Sequence, residues 1–272
     1  KDLLSGPLLH DDCNGISTHF DLVWSGHMWG KWSNSWQTPD GEILCIRSGG
    51  KSGCTAHRVS DGTKVETYKW QFSGHEQQLL KMDWKPLGYD PSDEPFEIMA
   101  QGLGLFSCKK SSWVGFNKNF RKFGGEEGYI HEKFRDYGGK CLCLPFLQWN
   151  HRFERPNGIP YPLDTLSRVR NYIIGHLELG LDLSALYEHF VASGGISKSQ
   201  WAQLLKHPES EIKDGKILMP KPDPEMGLDN LVQWSVKQDD TLDGYWDKFK
   251  EYAEKCDIIT EYTYTPHSAA LF

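Results

Sequence analysis

The sequence lacks the positive charge that a nucleic-acid-binding protein needs. Its 272 residues contain 30 Lys and Arg against 37 Asp and Glu, which gives a formal net charge of -7 at pH 7. DNA and RNA bind basic surfaces, because much of their affinity comes from cations placed against phosphates. The charge balance therefore argues against nucleic acid as the main partner and leaves room only for a local basic pocket.

Long hydrophobic runs are also missing. No apolar stretch approaches the roughly 20 residues that a membrane-spanning helix requires, and no secretory signal peptide opens the chain. The first residue is Lys1, and the sequence begins within a pattern. We therefore expect no membrane span and interpret the chain as an N-terminally truncated fragment of a longer protein.

A recognisable disulfide framework is absent as well. Seven cysteines are an odd number, and their spacing forms neither obvious pairs nor two CxxC zinc knuckles. A reducing compartment is the simplest interpretation, so we expect a cytoplasmic protein. Cys141 and Cys143 fall on one face of a predicted strand, where buried free thiols are commoner than metal ligands.

Aromatic residues, by contrast, are abundant, with 11 Trp, 11 Tyr and 13 Phe. Trp side chains offer flat apolar faces on which sugar rings stack, although the same side chains also fill cores. Trp24, Trp29, Trp32 and Trp36 lie close together in sequence, and either a substrate platform or a packing cluster accounts for them. On the first interpretation Trp29 and Trp32 are candidate substrate contacts.

The spacing of apolar residues predicts an α/β fold, with a mixed sheet, flanking helices and a helical C-terminal extension. Short apolar runs bounded by Gly and Pro indicate buried strands, and apolar residues three and four apart indicate helices. Gly-rich alternating segments indicate hairpins inserted at about residues 38–84. The predicted strands cover residues 3–9, 96–100, 103–108 and 141–147, and the predicted helices cover residues 126–137, 166–179, 183–193 and 197–205.

The same patterns predict two domains. The first spans residues 1–207, and a Pro-rich linker follows at residues 208–227. Residues 228–272 are helical in pattern and then form one apolar strand, which is how many α/β domains begin. We expect them to be the start of a second, truncated α/β domain, and the strand faintly resembles the first strand of a methyltransferase-like domain.

Three motifs in the first domain carry groups suited to chemistry. Residues 99–104 (MAQGLG) contain Gly102 and Gly104, where another backbone or a ligand can approach closely. Residues 124–129 (GGEEGY) set Glu126 and Glu127 at a predicted helix start. Residues 145–153 (PFLQWNHRF) place His151 just beyond a predicted strand.

These groups match the requirements of glycosyl transfer with inversion. That reaction needs a carboxylate base to deprotonate the acceptor hydroxyl, and a cation to stabilise the departing diphosphate. Glu126 and Glu127 are candidate bases, and His151 can ligate a divalent metal bound to the phosphates. Arg152 or Arg155 can add a direct phosphate contact.

The ordered motifs resemble GT-A fold glycosyltransferases, especially the branch with the polypeptide N-acetylgalactosaminyltransferases and bacterial or viral family 2 enzymes. Those enzymes carry a Gly-Gly-Leu strand, a Gly-Gly-Glu helix start and a Cys-Pro…His strand end. Here the matching strings are residues 101–106 (QGLGLF), 123–127 (FGGEE), and Cys143 with Pro145 and His151. The string 124–135 is most similar to bacterial and phage-type members, and the resemblance covers about residues 1–190.

The resemblance implies a nucleotide-sugar donor, a glycan or other hydroxyl acceptor, and a divalent metal, Mn²⁺ or Mg²⁺. It implies that His151 is the third metal ligand, that Glu127 is the general base, and that Glu126 binds the acceptor or supports the base. The family's Asp-x-Asp or Asp-x-His motif does not appear in the sequence. We expect it upstream of Lys1, which would leave the fragment inactive by itself.

Other functions stay open at this stage. A carbohydrate-binding or scaffold module without catalysis would also explain the many Trp residues. A metal hydrolase would use His151 with Asp or Cys ligands. His131 and Glu132 are predicted on the polar, solvated side of their helix, and acids at a helix start can simply stabilise it.

Overall fold

The computed structural model describes residues 1–48, 53–68, 79, 82–153, 157–159, 161 and 163–218. It is a mixed α/β protein with several small sheets, as predicted. The chain divides into two compact units, Lys1–Leu163 and Asp164–Phe272. In the described part of the chain, no helix is long and apolar enough to cross a membrane.

The strands and helices are short and are numbered here in chain order. In the first unit the strands are β1 (Leu3–Ser5), β2 (Leu8–Leu9), β3 (Gly15–Ser17), β4 (His19–Ser25), β5 (Met28–Ser33), β6 (Ser35–Gln37), β7 (Ile43–Ser48), β8 (Cys54–Arg58), β9 (Lys64–Tyr68), β10 (Lys85–Leu87), β11 (Phe96–Glu97), β12 (Phe106–Ser107), β13 (Cys141–Cys143) and β14 (Trp149–Asn150). Within the described residues of this unit, the helix α1 covers Glu126–Asp136 and a 3₁₀ turn covers Lys110–Ser112.

A four-stranded mixed sheet organises the first unit, with the order β11, β13, β1, β12. Strand β1 runs parallel to β13, with Leu3 opposite Cys141 and Ser5 opposite Cys143, while the outer pairs are antiparallel. Cys141 and Cys143 are buried free thiols, as predicted. Burial raises the pKa of each thiol to about 12, so both stay protonated and act as small apolar groups.

The predicted strand over residues 3–9 is two strands, because the chain breaks at Gly6. Strand β1 stays in the four-stranded sheet, while β2 pairs with β14 in parallel and with β3 in antiparallel orientation. A Cβ atom at Gly6 would lie 1.6 Å from the carbonyl oxygen of Leu147. Only glycine fits between the two sheets at this crossing.

Antiparallel strands lie close to where the sequence predicts inserted hairpins, at about residues 38–84. Strands β6 to β10 form an antiparallel sheet in the order β10, β6, β7, β8, β9. Its core consists of five buried residues: Trp36, Leu44, Ala56, Leu79 and Trp84. Asp21 of β4 accepts two hydrogen bonds from the Arg47 guanidinium, at 2.6 and 2.5 Å, and this ion pair ties the insertion to β4.

The helix predicted over residues 126–137 is α1. Gly124 and Gly125 precede it with φ of 103° and 99°, a left-handed conformation that L side chains rarely adopt. Ile130 and Phe134 are buried and face the core. The two glycines therefore set the direction in which the helix tip and its acids emerge.

The second unit begins with α2 (Thr165–Glu178), continues through α3 (Ser184–Tyr187) and a π turn (Glu188–Ala192), and reaches α4 (Lys198–Lys206). These elements match the three predicted helices. Asp164 caps α2 by accepting the Ser167 N–H at 2.7 Å, and Ser197 caps α4 in a capping box with Gln200.

The predicted linker differs from the structure in its first half, where β15 (Glu211–Lys213) and β16 (Lys216–Leu218) form a hairpin. Ile212 is buried and gives the hairpin an apolar anchor, which explains why this segment folds despite the neighbouring prolines. The unit boundary lies at Leu163, whereas the predicted first domain extends to residue 207. The predicted second α/β domain, residues 228–272, lies outside the described residues.

Replacing Gly6 by Ala should destabilise the first unit by about 3 kcal/mol, because a new methyl group must displace a backbone carbonyl. Gly138→Ala is the matched control, since nothing lies within 4 Å of its Cβ position and only its φ of 73° opposes a side chain. That strain should cost about 1 kcal/mol. Urea denaturation measures the free energy of unfolding of both variants. Equal losses of free energy in the two variants would show that the Leu147 carbonyl does not exclude a side chain at Gly6.

Candidate functional site

The tip of α1 presents the two predicted acids. Glu126 and Glu127 lie in its first turn and are half-buried. Gly128 follows them, and the Trp29 ring lies so close that a Cβ atom on Gly128 would meet its Cε3 atom at 2.5 Å. An indole face therefore covers the same helical turn that carries the acids.

His131 is fully buried, so the prediction that it lies on a solvated face is wrong. Its Nε2 accepts the backbone N–H of Gln101 at 3.1 Å, and its Nδ1 lies 2.7 Å from the Glu127 carbonyl oxygen. Because an amide N–H can only donate, the proton of the neutral ring must be on Nδ1, which donates to Glu127. Burial lowers the pKa of His131 to about 3 and keeps the ring neutral.

Arg135 makes a second link between α1 and the first motif. Its guanidinium donates to the carbonyl oxygen of Met99 and pairs with Glu132 at 2.6 Å. Glu132 was predicted to be solvated, yet it is half-buried because it holds this guanidinium in place. The helix is thus fastened to residues 99–101 at two successive turns.

Gln101 is a fully buried polar side chain that organises the first motif. Its Nε2 donates to the carbonyl oxygens of Gly6 and Ser17, each at 3.4 Å, and its Oε1 accepts the Gly102 N–H at 2.9 Å. These bonds fix the backbone that leads from Gln101 into the glycine-rich loop, and they account for a buried amide that would otherwise be costly.

Indole rings occupy the close approaches at Gly102 and Gly104. A Cβ atom on Gly102 would lie 3.0 Å from the Cη2 atom of Trp32, and one on Gly104 would lie 2.3 Å from the Cη2 atom of Trp149. The groups that come close to these two glycines are therefore aromatic side chains of the protein itself. Gly104 remains exposed on its other side.

The four clustered Trp residues have different surroundings. Trp36 is buried in the core of the insertion. Trp32 packs with Phe20 at a ring separation of 3.9 Å. Trp24 and Trp29 are half-buried and stack at 5.9 Å with an angle of 21° between their rings. Trp29, like Trp32, packs against the buried cluster of Phe20, Leu22 and Ala100, and its partly exposed stack with Trp24 lies next to Gly128 in the turn that carries the acids.

The third motif holds its imidazole between two aromatic rings. The His151 ring lies 5.8 Å from Trp149 and 4.0 Å from Phe153, and its backbone N–H donates to Leu9 at 3.0 Å. His151 is half-buried and Arg152 is exposed. Arg155 lies outside the described residues.

The three motifs meet around residues 101–104. Gln101 binds His131 of the second motif. The Gly6 carbonyl accepts both Gln101 and, at 3.2 Å, the indole N–H of Trp149 from the third motif. His131 thus links the backbone of Glu127 to Gln101 at the start of this loop, and the Trp149 ring, from the motif that contains His151, packs on Gly104.

A complete metal site is not formed by the described residues, in which no three His, Cys, Asp or Glu side chains cluster around a common point. His151 supplies a single imidazole. Protein sites for Mn²⁺ or Mg²⁺ use several oxygen ligands, so the described residues alone do not fit such an ion.

Sequence reasoning missed His131, Gln101 and Trp149. The signal for His131 was its spacing of three residues from Phe134, which puts both on one side of the helix. Gln101 and Trp149 act through main-chain oxygens of residues more than 80 positions away. No local pattern points to such partners.

The buried histidine predicts a dependence of stability on pH. Unfolded His131 takes up a proton near pH 6.5, whereas the folded ring does so only near pH 3. The contribution of His131 is therefore complete above pH 6.5 and falls with pH by up to about 1.4 kcal/mol per unit. Burial also lowers the pKa values of His19 and His176, each to about 4, which adds to the slope.

His131→Leu should make the free energy of unfolding less dependent on pH, because it removes one of the three buried histidines. Urea denaturation at several pH values between 7 and 4 measures this dependence. The same substitution at exposed His10 is the matched control. Equal slopes in the two variants would show that the fold does not hold His131 neutral.

Comparison with protein-family models, curated proteins and solved structures finds no match for this chain.

Proposed function

We propose that the unit Lys1–Leu163 is the acceptor side of a GT-A fold glycosyltransferase, which moves a sugar from a nucleotide-sugar donor to a hydroxyl acceptor with inversion. One observation carries the proposal. A pair of half-buried carboxylates stands at a glycine-hinged helix tip, in the turn on which the Trp29 indole packs, and His131 of the same helix bonds to Gln101 at the start of the glycine-rich loop. The ordered motifs of the sequence are those that meet there.

Glu127 is the proposed general base. Its carboxylate accepts the proton of the acceptor hydroxyl while the hydroxyl oxygen attacks the anomeric carbon. The new carbon–oxygen bond forms as the bond to the nucleotide diphosphate breaks, and the electron pair leaves with the phosphate oxygen. Glu126 binds the acceptor or orients Glu127. The His131 bridge holds the backbone of Glu127 and so positions the base.

Trp29 is the proposed acceptor platform. Its ring lies on Gly128, one residue after Glu127, so a sugar stacked on the indole would hold its hydroxyls near the carboxylate. Trp32 packs against both Phe20 and Gly102. Its role in the proposal is to position the loop.

A divalent cation, Mn²⁺ or Mg²⁺, belongs to the proposal because departing diphosphates need positive charge. His151 would be one ligand, and Arg152 would contact phosphate directly, with Arg155 as a further candidate. The described residues alone do not complete such a site.

Glu127→Gln in the full-length protein should lower sugar transfer by at least about a hundredfold, because an amide cannot accept the hydroxyl proton. Donor binding and thermal stability should stay unchanged. Asp136→Asn, an exposed acid at the other end of the same helix, is the matched control. Transfer to hydroxyl acceptors would be followed by release of the nucleotide diphosphate from a set of nucleotide sugars.

Unchanged turnover in Glu127→Gln would remove Glu127 as the base. Loss of turnover in both Glu127→Gln and Asp136→Asn would indicate damage to the helix and not to the chemistry.

His151→Ala should abolish the stabilisation that Mn²⁺ gives to the protein in the presence of a nucleoside diphosphate. A bound ion stabilises the folded state by RT ln(1 + [L]/Kd), so losing a ligand, which raises Kd, lowers the shift in melting temperature. His27→Ala, in an exposed turn, is the control. An identical Mn²⁺ shift in wild type and His151→Ala would rule out His151 as a ligand.

The stacked Trp24 and Trp29 pair also favours a second candidate, a carbohydrate-binding or scaffold module without catalysis. Such a module would bind glycans through the indole faces but transfer no sugar. Binding that is lost in Trp29→Ala and kept in Glu127→Gln, with no turnover in the full-length protein, would favour this candidate.

A further inference from the structure

A local excess of positive charge follows the glycine-rich loop. Residues 107–123 contain Lys109, Lys110, Lys118, Arg121 and Lys122 and no acid, in a chain with a net charge of -7. Lys109, Lys110 and Lys118 are exposed. None of the ion pairs within the described residues involves these three lysines. Their charges therefore face solvent.

Exposed aromatic rings accompany these lysines. Trp113 stacks on Phe106 at 5.8 Å with an angle of 24° between the rings, and Phe116 meets Trp113 edge-on at 5.3 Å. Trp113 is 39% exposed and Phe116 is 42% exposed. Large aromatic groups held rigidly at a protein surface commonly mark a binding site.

Phe106, Ser107, Cys108, Lys110 and Trp113 line a shallow, open depression of about 380 Å³, which we call the Trp113 surface. Phe106 and Trp113 contribute aromatic rings to its lining, and Lys110 contributes an amine. The Trp113 ring also packs against Phe134, at a ring separation of 6.2 Å. The depression thus combines a flat apolar face with a cation and a hydroxyl.

We propose that the Trp113 surface binds an anionic glycan, as an extension of the acceptor site. A sugar ring can lie flat on the indole, and Lys110 can pair with a carboxylate, sulfate or phosphate on that sugar or its neighbour. Trp113 packs against Phe134, which lies seven residues after Glu127 and about 10 Å along the axis of α1, so the same helix contacts the depression and carries the acids. This inference rests on the proposed function, because it takes the helix tip as the reacting end.

Charge and shape favour a glycan over other polyanions. A nucleic acid carries a phosphate at every nucleotide and binds along an extended basic groove, whereas the lining of the depression has one lysine. An anionic membrane would require a broader apolar face than two partly exposed rings provide. A shallow depression lined by aromatic rings and one lysine suits a single sugar ring with one charge.

The test is direct binding to the full chain, measured by calorimetry without donor or metal. The probes are an oligogalacturonate and a neutral malto-oligosaccharide of equal length. Trp113→Ala should weaken oligogalacturonate binding about tenfold, because the stacking face is lost. Lys110→Glu should weaken it by a similar factor and reduce its salt dependence. Tyr137→Ala and Lys64→Glu, at exposed positions elsewhere, should bind as wild type does.

Lys110→Glu alters an exposed side chain and should not change folding. Its effect on oligogalacturonate affinity can therefore be interpreted even if Trp113→Ala destabilises the protein. Equal affinity for the neutral and the anionic oligosaccharide would overturn the proposal, as would absence of binding. Tighter binding of single-stranded DNA or of phosphatidylglycerol vesicles, lost in the same two variants, would also overturn it in favour of that partner. Oligogalacturonate binding that survives in Glu127→Gln and fails in Lys110→Glu supports it.

Failure of the proposed function gives a different result. Wild type would then bind the oligogalacturonate through the Trp113 surface, while no nucleotide sugar would donate to any hydroxyl acceptor. Conversely, transfer to neutral acceptors that is unaffected by Lys110→Glu, with no oligogalacturonate binding, would leave the transferase standing and remove the anionic site.

Discussion

The neutral imidazole of His131 is the interaction on which the candidate site depends. It satisfies a buried amide of the loop 101–104 and a carbonyl at the acid-bearing helix tip at once. An unpaired buried N–H costs about 1–3 kcal/mol, and a protonated ring would place a second donor against it. The tip and the loop therefore keep their relative geometry only while His131 is uncharged.

Indole rings packed on glycines hold the rest of the candidate site. Gly104 and Gly128 each accept an indole at a distance that a Cβ atom would not allow, and Gly102 accepts one at a distance that a Cβ atom would crowd. The glycines that suggest substrate approach thus first serve to seat Trp32, Trp149 and Trp29. The consequence for function is rigidity, because a stacked indole that cannot shift is a better platform than a mobile one.

The sequence predicts those parts of the fold that depend on local patterns. The helix at residues 126–136 was readable from its acids, its apolar spacing and its flanking glycines, and the hairpins from alternation. The crossing at Gly6 was not readable, because its cause is the Leu147 carbonyl, which is distant in sequence. The same holds for Gln101, whose two acceptors come from Gly6 and Ser17. The motifs were found from sequence, but the residues that hold them together were not.

Helix α1 begins without the capping side chain that α2 and α4 have in Asp164 and Ser197, because its N-cap is Gly125 in a left-handed conformation. Glycine at an N-cap costs only roughly a few tenths of a kcal/mol relative to Ser or Asp, and an L side chain rarely adopts the φ of 99° found there. The direction of the chain into α1 therefore requires glycine, and the acids of the first turn stabilise the helix by roughly a few tenths to 1 kcal/mol each. The proposed transferase uses the same two carboxylates, so helix stabilisation and the proposed catalysis place acids at the same positions.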